Sequence, residues 1–326
     1  RGHLHTRGLR LAGLPRATRS RLGVEAGTLD ARLWLRWEQD RLVRIQTRLG
    51  ATDLQPRVGS APPLDLEGHL LWNRTAQGWT LRGEDLDLRR EGVGWPPQSG
   101  FDLVWSRGPQ GGHLQAHIDY LRLQDVAPLL AGQTLFPGGW REYLARLRPD
   151  GVLSHVRLDL EPRDEGLPVG RAEGRFRGLG MAADGHLPGF SALDGGFDLS
   201  DEGGRIWLEA RDTQLELPQM LDRPVPVEIL EGVLDWSPGP GGGVLESQRL
   251  LLRNGDLALG ARGRVILGAR PELDLAVDFR NGDVRAVPAY LPRGLPSEVR
   301  RWLQRALEGG RIQRGGMVFR GAQENF

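Results

Sequence analysis

Apolar and polar residues alternate along most of this chain. Leu33, Leu35 and Trp37 interleave with Arg32, Trp34 and Arg36, and Leu86 and Leu88 with Asp85, Asp87 and Arg89. Phe101, Leu103 and Trp105 interleave with Asp102 and Val104; Val156, Leu158 and Leu160 with Arg157 and Asp159; Leu215 and Leu217 flank Glu216. The cleanest run sets Leu273, Leu275, Val277 and Phe279 against Asp274, Asp278 and Arg280. A period of two puts every second side chain on one face of a strand. Turn signals separate the runs, among them Asn254-Gly255-Asp256, Glu202-Gly203-Gly204 and Pro238-Gly239-Pro240-Gly241, and such clusters close hairpins. The pattern predicts a mainly β chain, a meander of roughly 15–20 antiparallel strands. Such a sheet keeps one face apolar and one face wet.

Helical periodicity is scarce. Val299, Trp302, Leu303, Ala306 and Leu307 make one apolar stripe, so a helix is expected from Ser297, as cap, to about Glu308, stopped by Gly309-Gly310. A second is expected from about Pro137 to Arg148, with Trp140, Tyr143, Leu144 and Leu147 on its buried face. Trp140, Leu144, Trp302 and Leu303 are the expected packing anchors of these helices. Residues 50–66, with Pro56, Pro62 and Pro63, read as a loop. The helices belong to an order of events that occurs twice, in 118–153 and 277–312. Each copy has an alternating strand, Asp-Val, a Pro-containing apolar turn, a Trp-led helix, a Gly break and another strand. Recurrence of this kind marks an array of similar units. The expected organisation is a first repeat over 1–153 and a second over 154–326, joined in one continuous sheet.

Composition narrows the chemistry. The chain has 326 residues and a net charge of +1, from 43 basic and 42 acidic side chains. That balance lacks the basic excess of a nucleic-acid binder, so no nucleic-acid partner is expected. With no cysteine, thiolate catalysis, Cys-ligated zinc and disulfides are excluded. No stretch reaches the roughly 18–20 apolar residues of a membrane-spanning helix. The chain starts at Arg1 and reads as a piece of a longer protein, with targeting elements outside it.

Few motifs carry catalytic or metal chemistry. His113 and His117 would share a strand face but stand about 13 Å apart, too far for one ion. His3-x-His5 lacks a third ligand. The acidic cluster Asp194, Asp198, Asp201 and Glu202 sits among turn glycines and reads as a solvated loop. The glycine-rich stretches 108–112 and 239–243 have no strand–loop–helix context for a phosphate cradle. No catalytic residue, metal or cofactor is assigned.

The open question is what covers the apolar face. Fifteen strands at roughly 4.8 Å spacing span about 70 Å, and two helices of about 18 Å each cover a fraction of that. The face must meet a second sheet, close into a barrel, or form a groove for apolar ligand. Its candidate lining is Leu33, Leu35, Trp37, Leu86, Leu88, Leu103, Trp105, Val156, Leu158, Leu160, Leu215, Leu217, Leu273, Leu275, Val277 and Phe279. Alternation alone is compatible with a structural or adhesive β-sandwich array with a closed core; a carbohydrate-acting enzyme would need two converging carboxylates.

Tyr290-Leu291-Pro292, Trp302-Leu303, Ala306-Leu307, Gly309-Gly310, Gly316 and Arg320-Gly321 resemble the signature of the YhdP-type, AsmA-like proteins of Gram-negative bacteria. Leu215-Glu216-Leu217-Pro218, Leu234-Asp235-Trp236 and Leu273-Asp274-Leu275 are similar in the same order. The resemblance implies a long, twisted and curled antiparallel sheet forming a hydrophobic groove, with a few short amphipathic helices. It implies a non-enzymatic periplasmic body, anchored in the inner membrane by a segment outside this chain. Its implied cargo is phospholipid, passed between inner and outer membranes that are contacted by other parts of the protein. Edge strands at either end are expected to be able to pair with adjacent segments.

Overall fold

In the computed structural model, which describes residues 1–57, 62–97, 99–108, 111–131, 144–161, 169–185, 187–239, 242–268, 270–291 and 293–322, sixteen strands form one antiparallel sheet. They are β1 (Gly2–Arg10), β2 (Val24–Glu38), β3 (Arg41–Pro56), β4 (Leu64–Arg74), β5 (Gly78–Arg89), β6 (Phe101–Gly108), β7 (Gly111–Arg122), β8 (Asp150–Glu161), β9 (Val169–Met181), β10 (Gly189–Ser200), β11 (Gly203–Glu216), β12 (Val225–Ser237), β13 (Val244–Arg253), β14 (Ala258–Ile266), β15 (Glu272–Asp283) and β16 (Arg311–Ala322). Spatial order equals chain order, leaving β1 and β16 as edges. Two compact units, Arg1–Gly174 and Arg175–Phe326, meet within β9. In each unit the strands pack against their chain neighbours. The closed sandwich, which needs a second sheet, is therefore not the architecture.

The twice-occurring signal is a helical insertion between adjacent strands. In the first unit α2 (Leu123–Ala131) follows β7, and residues 144–147 are helical before β8. In the second, a 3-10 turn (Val284–Tyr290) and α3 (Ser297–Ala306) link β15 to β16. Trp140 lies outside the described residues. A further 3-10 turn (Leu11–Gly13) and α1 (Arg16–Leu22) link β1 to β2.

Three local readings are corrected. Residues 50–66 are largely strand: β3 pairs with β2 as far as Pro56 and with β4 as far as the Leu54–Leu64 pair. The Pro-containing turn after Asp125 is helical, with Pro128 inside α2. Pro128 has no N–H for the Gln124 carbonyl four residues back, and Arg90 Nη1 donates to that carbonyl instead. In α3 the cap position is Pro296, with no side-chain cap bond. Proline's fixed φ suits this entry and makes Ser297 the first helical residue.

Bulges maintain the alternation. Gly8 in β1, Asp53 in β3, Asp85 in β5 and Gly178 in β9 have φ of 60°, 54°, 50° and 60°. The β3 and β5 bulges interrupt register against β4 at Ala51/Leu54 and Glu67/His69. A bulge frees an N–H from the ladder, and three of these amides donate to an aspartate of the next strand: Gly8 to Asp30 (2.6 Å), Asp53 to Asp65 (3.0 Å) and Gly178 to Asp194 (2.6 Å). At Asp85 the extra residue changes the parity, so Leu86 and Leu88 share a face with Leu81 and Gly83.

Deleting Asp85 should turn Leu86 and Leu88 outward and abolish the cooperative thermal transition of the first unit. Asp85→Gly suits φ 50° and should stay within about 1 kcal/mol of the parent. Thermal unfolding followed by circular dichroism separates the two outcomes.

Candidate functional site

Cross-strand register turns the alternation into continuous apolar rows, because directly paired residues of antiparallel strands share a face. In the first unit one row runs Leu35, Ile45, Trp72, Leu81, Leu103, Ala116, Leu158 across seven strands. The next runs Leu33, Thr47, Leu70, Gly83, Phe101, Ile118, Val156. A third starts at Arg74 and continues through Trp79, Trp105, Leu114 and Leu160. Arg74 is the one charged residue in these three rows.

The second unit repeats the construction. Its rows are Leu208, Gly232, Leu250, Ala261, Val277, Met317; Ala210, Leu230, Leu252, Leu259, Phe279, Gly315; and Gly204, Trp236, Leu245, Val265, Leu273, Gly321. A shorter row holds Ser247, Gly263, Leu275 and Phe319. None contains a charge. Glycine and aromatic residues alternate across strands where rings lie flat: a Cβ on Gly83 would meet the Phe101 ring at 2.5 Å, and Phe279 covers Gly315 likewise. The rings level the floor by filling the space above a neighbour that has no side chain.

Most of these residues are only half-buried, including Leu33, Leu35, Leu103, Trp105, Leu158, Leu160, Leu215, Leu275, Val277 and Phe279. Trp37 is 43% exposed. In the first unit a closed core covers the face at one set of strand ends. Leu86 and Leu88 belong to a closed core with Leu11, Leu64 and Trp95, so they are packing residues and not accessible lining. Val156 and Leu273 are also buried. Leu217 stands beyond β11, where its carbonyl accepts from the Met220 and Leu221 amides.

The closed end of the first unit rests on an ionic cluster that sequence periodicity does not signal. Asp125, 1% exposed, lies 3.2 Å from Arg90 Nη1 and 3.3 Å from Arg122 Nη1, and accepts from Trp95 Nε1 at 2.9 Å. Arg122 also donates to the carbonyls of Val93 (3.1 Å) and Gly94 (2.9 Å). The second unit uses a hydrogen-bond network without arginine at the corresponding connector. Tyr290 OH donates to Asp256 Oδ2 and accepts from Asn254 Nδ2, both at 2.8 Å. Burial pushes the Tyr290 phenol up to about 12, and its bond to Asp256 adds to this.

The stripe of α3 is not seated on the sheet. Trp302 is 60% and Val299 40% exposed, while Leu303 is half-buried. Trp302 is therefore not a packing anchor. The segment is held instead by Asp222 in the turn after β11, 2.7 Å from Arg293 Nε and 3.3 Å from Arg300 Nη1. The Arg293 bond holds the Asp222 carboxyl below its usual range. Leu144 is half-buried.

The opposite face is polar. Cross-strand ion pairs join Arg82 to Asp102 (2.5 Å), Arg157 to Glu173 (2.8 Å) and Arg205 to Asp235 (2.8 Å). His113 contacts Asp159 at 2.5 Å and His117 contacts Asp119 at 3.1 Å. Among the described residues no three His, Asp or Glu side chains converge as metal ligands, and no helix is long and apolar enough to cross a membrane.

The profile of the YhdP family, described as YhdP protein, matches residues 1–326. The chain belongs to the YhdP family. Comparisons with curated proteins and with solved structures returned no match. In this YhdP-family chain the residues that carried the resemblance fall partly in the connector, with Tyr290 in the hydrogen-bond network and Trp302 and Leu303 on α3, and partly in strands, with Leu234–Trp236 in β12, Leu273–Leu275 in β15 and Gly316, Arg320 and Gly321 in β16.

Two outcomes test the closed ends. Asp125→Ala leaves Arg90 and Arg122 buried without their carboxylate and should destabilise the first unit by about 3–5 kcal/mol in denaturant unfolding. In an ultraviolet titration the Tyr290 phenol should ionise at about pH 12. Because its folded pKa is raised, its stabilisation is fully present below the ordinary pKa of about 10 and is lost as pH rises through about 12. Tyr290→Phe should remove that alkaline loss.

Proposed function

We propose that this chain is a periplasmic segment of an inner-membrane-anchored conduit that shields phospholipid acyl chains and passes them between inner and outer membranes. The observation that carries this reading is the set of apolar rows, mostly half-buried, charged at Arg74 alone and with no second sheet over them among the described residues. Removing each CH₂ from water gains about 0.8 kcal/mol, so a chain of about 16 carbons gains around 10 kcal/mol. That is enough to retain a lipid. A floor that lacks charged anchors along its length holds no single position strongly, so the chain can slide. The charged outer face keeps the segment wetted. YhdP-family membership supports an envelope role in bridge-like lipid transfer, and the family is not a known enzyme family. The reading requires no catalytic residue and no cofactor.

The purified chain should carry phospholipid detectable by gentle native mass spectrometry. Leu275→Asp or Val277→Asp places a charge in the rows of the second unit and should cut recovered lipid at least about tenfold. Lipid retained in full by both variants, with thermal transitions like the parent's, would show that those positions do not line a lipid path.

A further inference from the structure

The first unit's face has an open end opposite its closed core, at the β4–β5 and β6–β7 hairpins. Three of the chain's ten tryptophans stand there on the apolar face. Trp79 pairs with Trp105, and Trp72 is one row further in, paired with Leu81. Arg74 pairs directly with Trp79. Arg107, two residues beyond Trp105, takes the same face, and its amide donates to Gln77 O at 2.8 Å. The Trp105 ring extends over Gly112, the residue paired with Arg107.

These two arginines are set unlike those of the outer face. Arg82 on β5 and Arg157 on β8 have carboxylate partners. Neither the Arg74 nor the Arg107 side chain has a partner among the described residues, and the hairpin residues 75–77 and 108–111 contain no acid. Both are exposed. From Trp79 to Gly83 the adjoining floor runs about 13 Å along the strand with no charge on that face.

We propose that Arg74 and Arg107 form a headgroup station in which the phosphate diester of a glycerophospholipid docks while its acyl chains lie on the adjoining rows. This deepens, and rests on, the lipid-shielding reading above. A guanidinium presents a planar fork that matches two phosphate oxygens. Indoles favour the boundary where apolar chain meets polar headgroup. The station selects for the phosphate, not for the identity of the chains, and its cations sit at the lip, so they leave the inner floor free of charge.

The test offers the 326-residue chain mixed vesicles of dioleoylphosphatidylglycerol and dioleoylglycerol and measures the lipid taken up by mass spectrometry. The two lipids share their chains and differ in the headgroup. The parent should take the phosphate-bearing lipid by at least about tenfold over the diglyceride. The Arg74→Ala/Arg107→Ala variant should lose that preference, keep its diglyceride uptake and unfold at the parent's temperature. The Arg74→Lys/Arg107→Lys variant should recover part of the preference. Equal uptake of both lipids by the parent, or an unchanged ratio in the alanine variant, overturns the station while leaving the shielding reading intact. Inorganic phosphate that displaces the bound lipid would reassign the arginines to free phosphate and overturn it too. Uptake of neither lipid would remove the shielding reading and the station together.

Discussion

A strand has two faces and one residue of slip exchanges them. Each apolar row exists because the successive strands of its unit hold the same parity toward their neighbours. The meander could lose it at any turn or irregularity. Bulges such as that at Asp85 are the correction: one extra residue returns Leu86 and Leu88 to the face of Leu81 and Gly83. The correction leaves an amide outside the ladder, and Asp30, Asp65 and Asp194 satisfy three of these. The polar residues at those positions are therefore part of how the apolar face is kept continuous.

Closing one end of such a face and leaving the other open divides the labour within a unit. In the first unit the closed end concentrates the buried core and a desolvated carboxylate with two arginines. A buried ion pair adds little net stability against a hydrophobic substitute, but it tolerates poorly the loss of one partner. It thereby fixes the position of α2, whose Pro128 would otherwise leave the Gln124 carbonyl unsatisfied. The second unit reaches an equivalent fixation through Tyr290, Asn254 and Asp256. With one end fixed by polar contacts, the rest of the apolar face needs no protein cover to hold its place.

The connectors show where family signature and packing role part company. Trp302 carries the resemblance and heads the apolar stripe of α3, yet it is exposed. Helical periodicity reports that a stripe exists and is silent on whether anything meets it. Here the ion pairs of Asp222 with Arg293 and Arg300 hold the segment at the strand ends, and the stripe is left free.

The sequence by itself determined the β class, the two-faced character of each strand, the hairpin turns and the recurrence of the helical connector. These follow from period-two alternation and local turn chemistry, which need no partner to be read. The placement of Leu35, Leu103, Leu158, Leu275 and Val277 on apolar strand faces was legible for the same reason. Tertiary structure alone decided which of those residues stay accessible. Leu86 and Leu88 alternate as well as Leu103 does, but the residues that cover them, Leu11, Leu64 and Trp95, come from other parts of the chain. The Asp125 cluster joins arginines far apart in sequence, and the row from Arg74 through Trp79 to Leu160 depends on register across five strands. Contacts of that kind are set by where strands meet, and no local pattern encodes them.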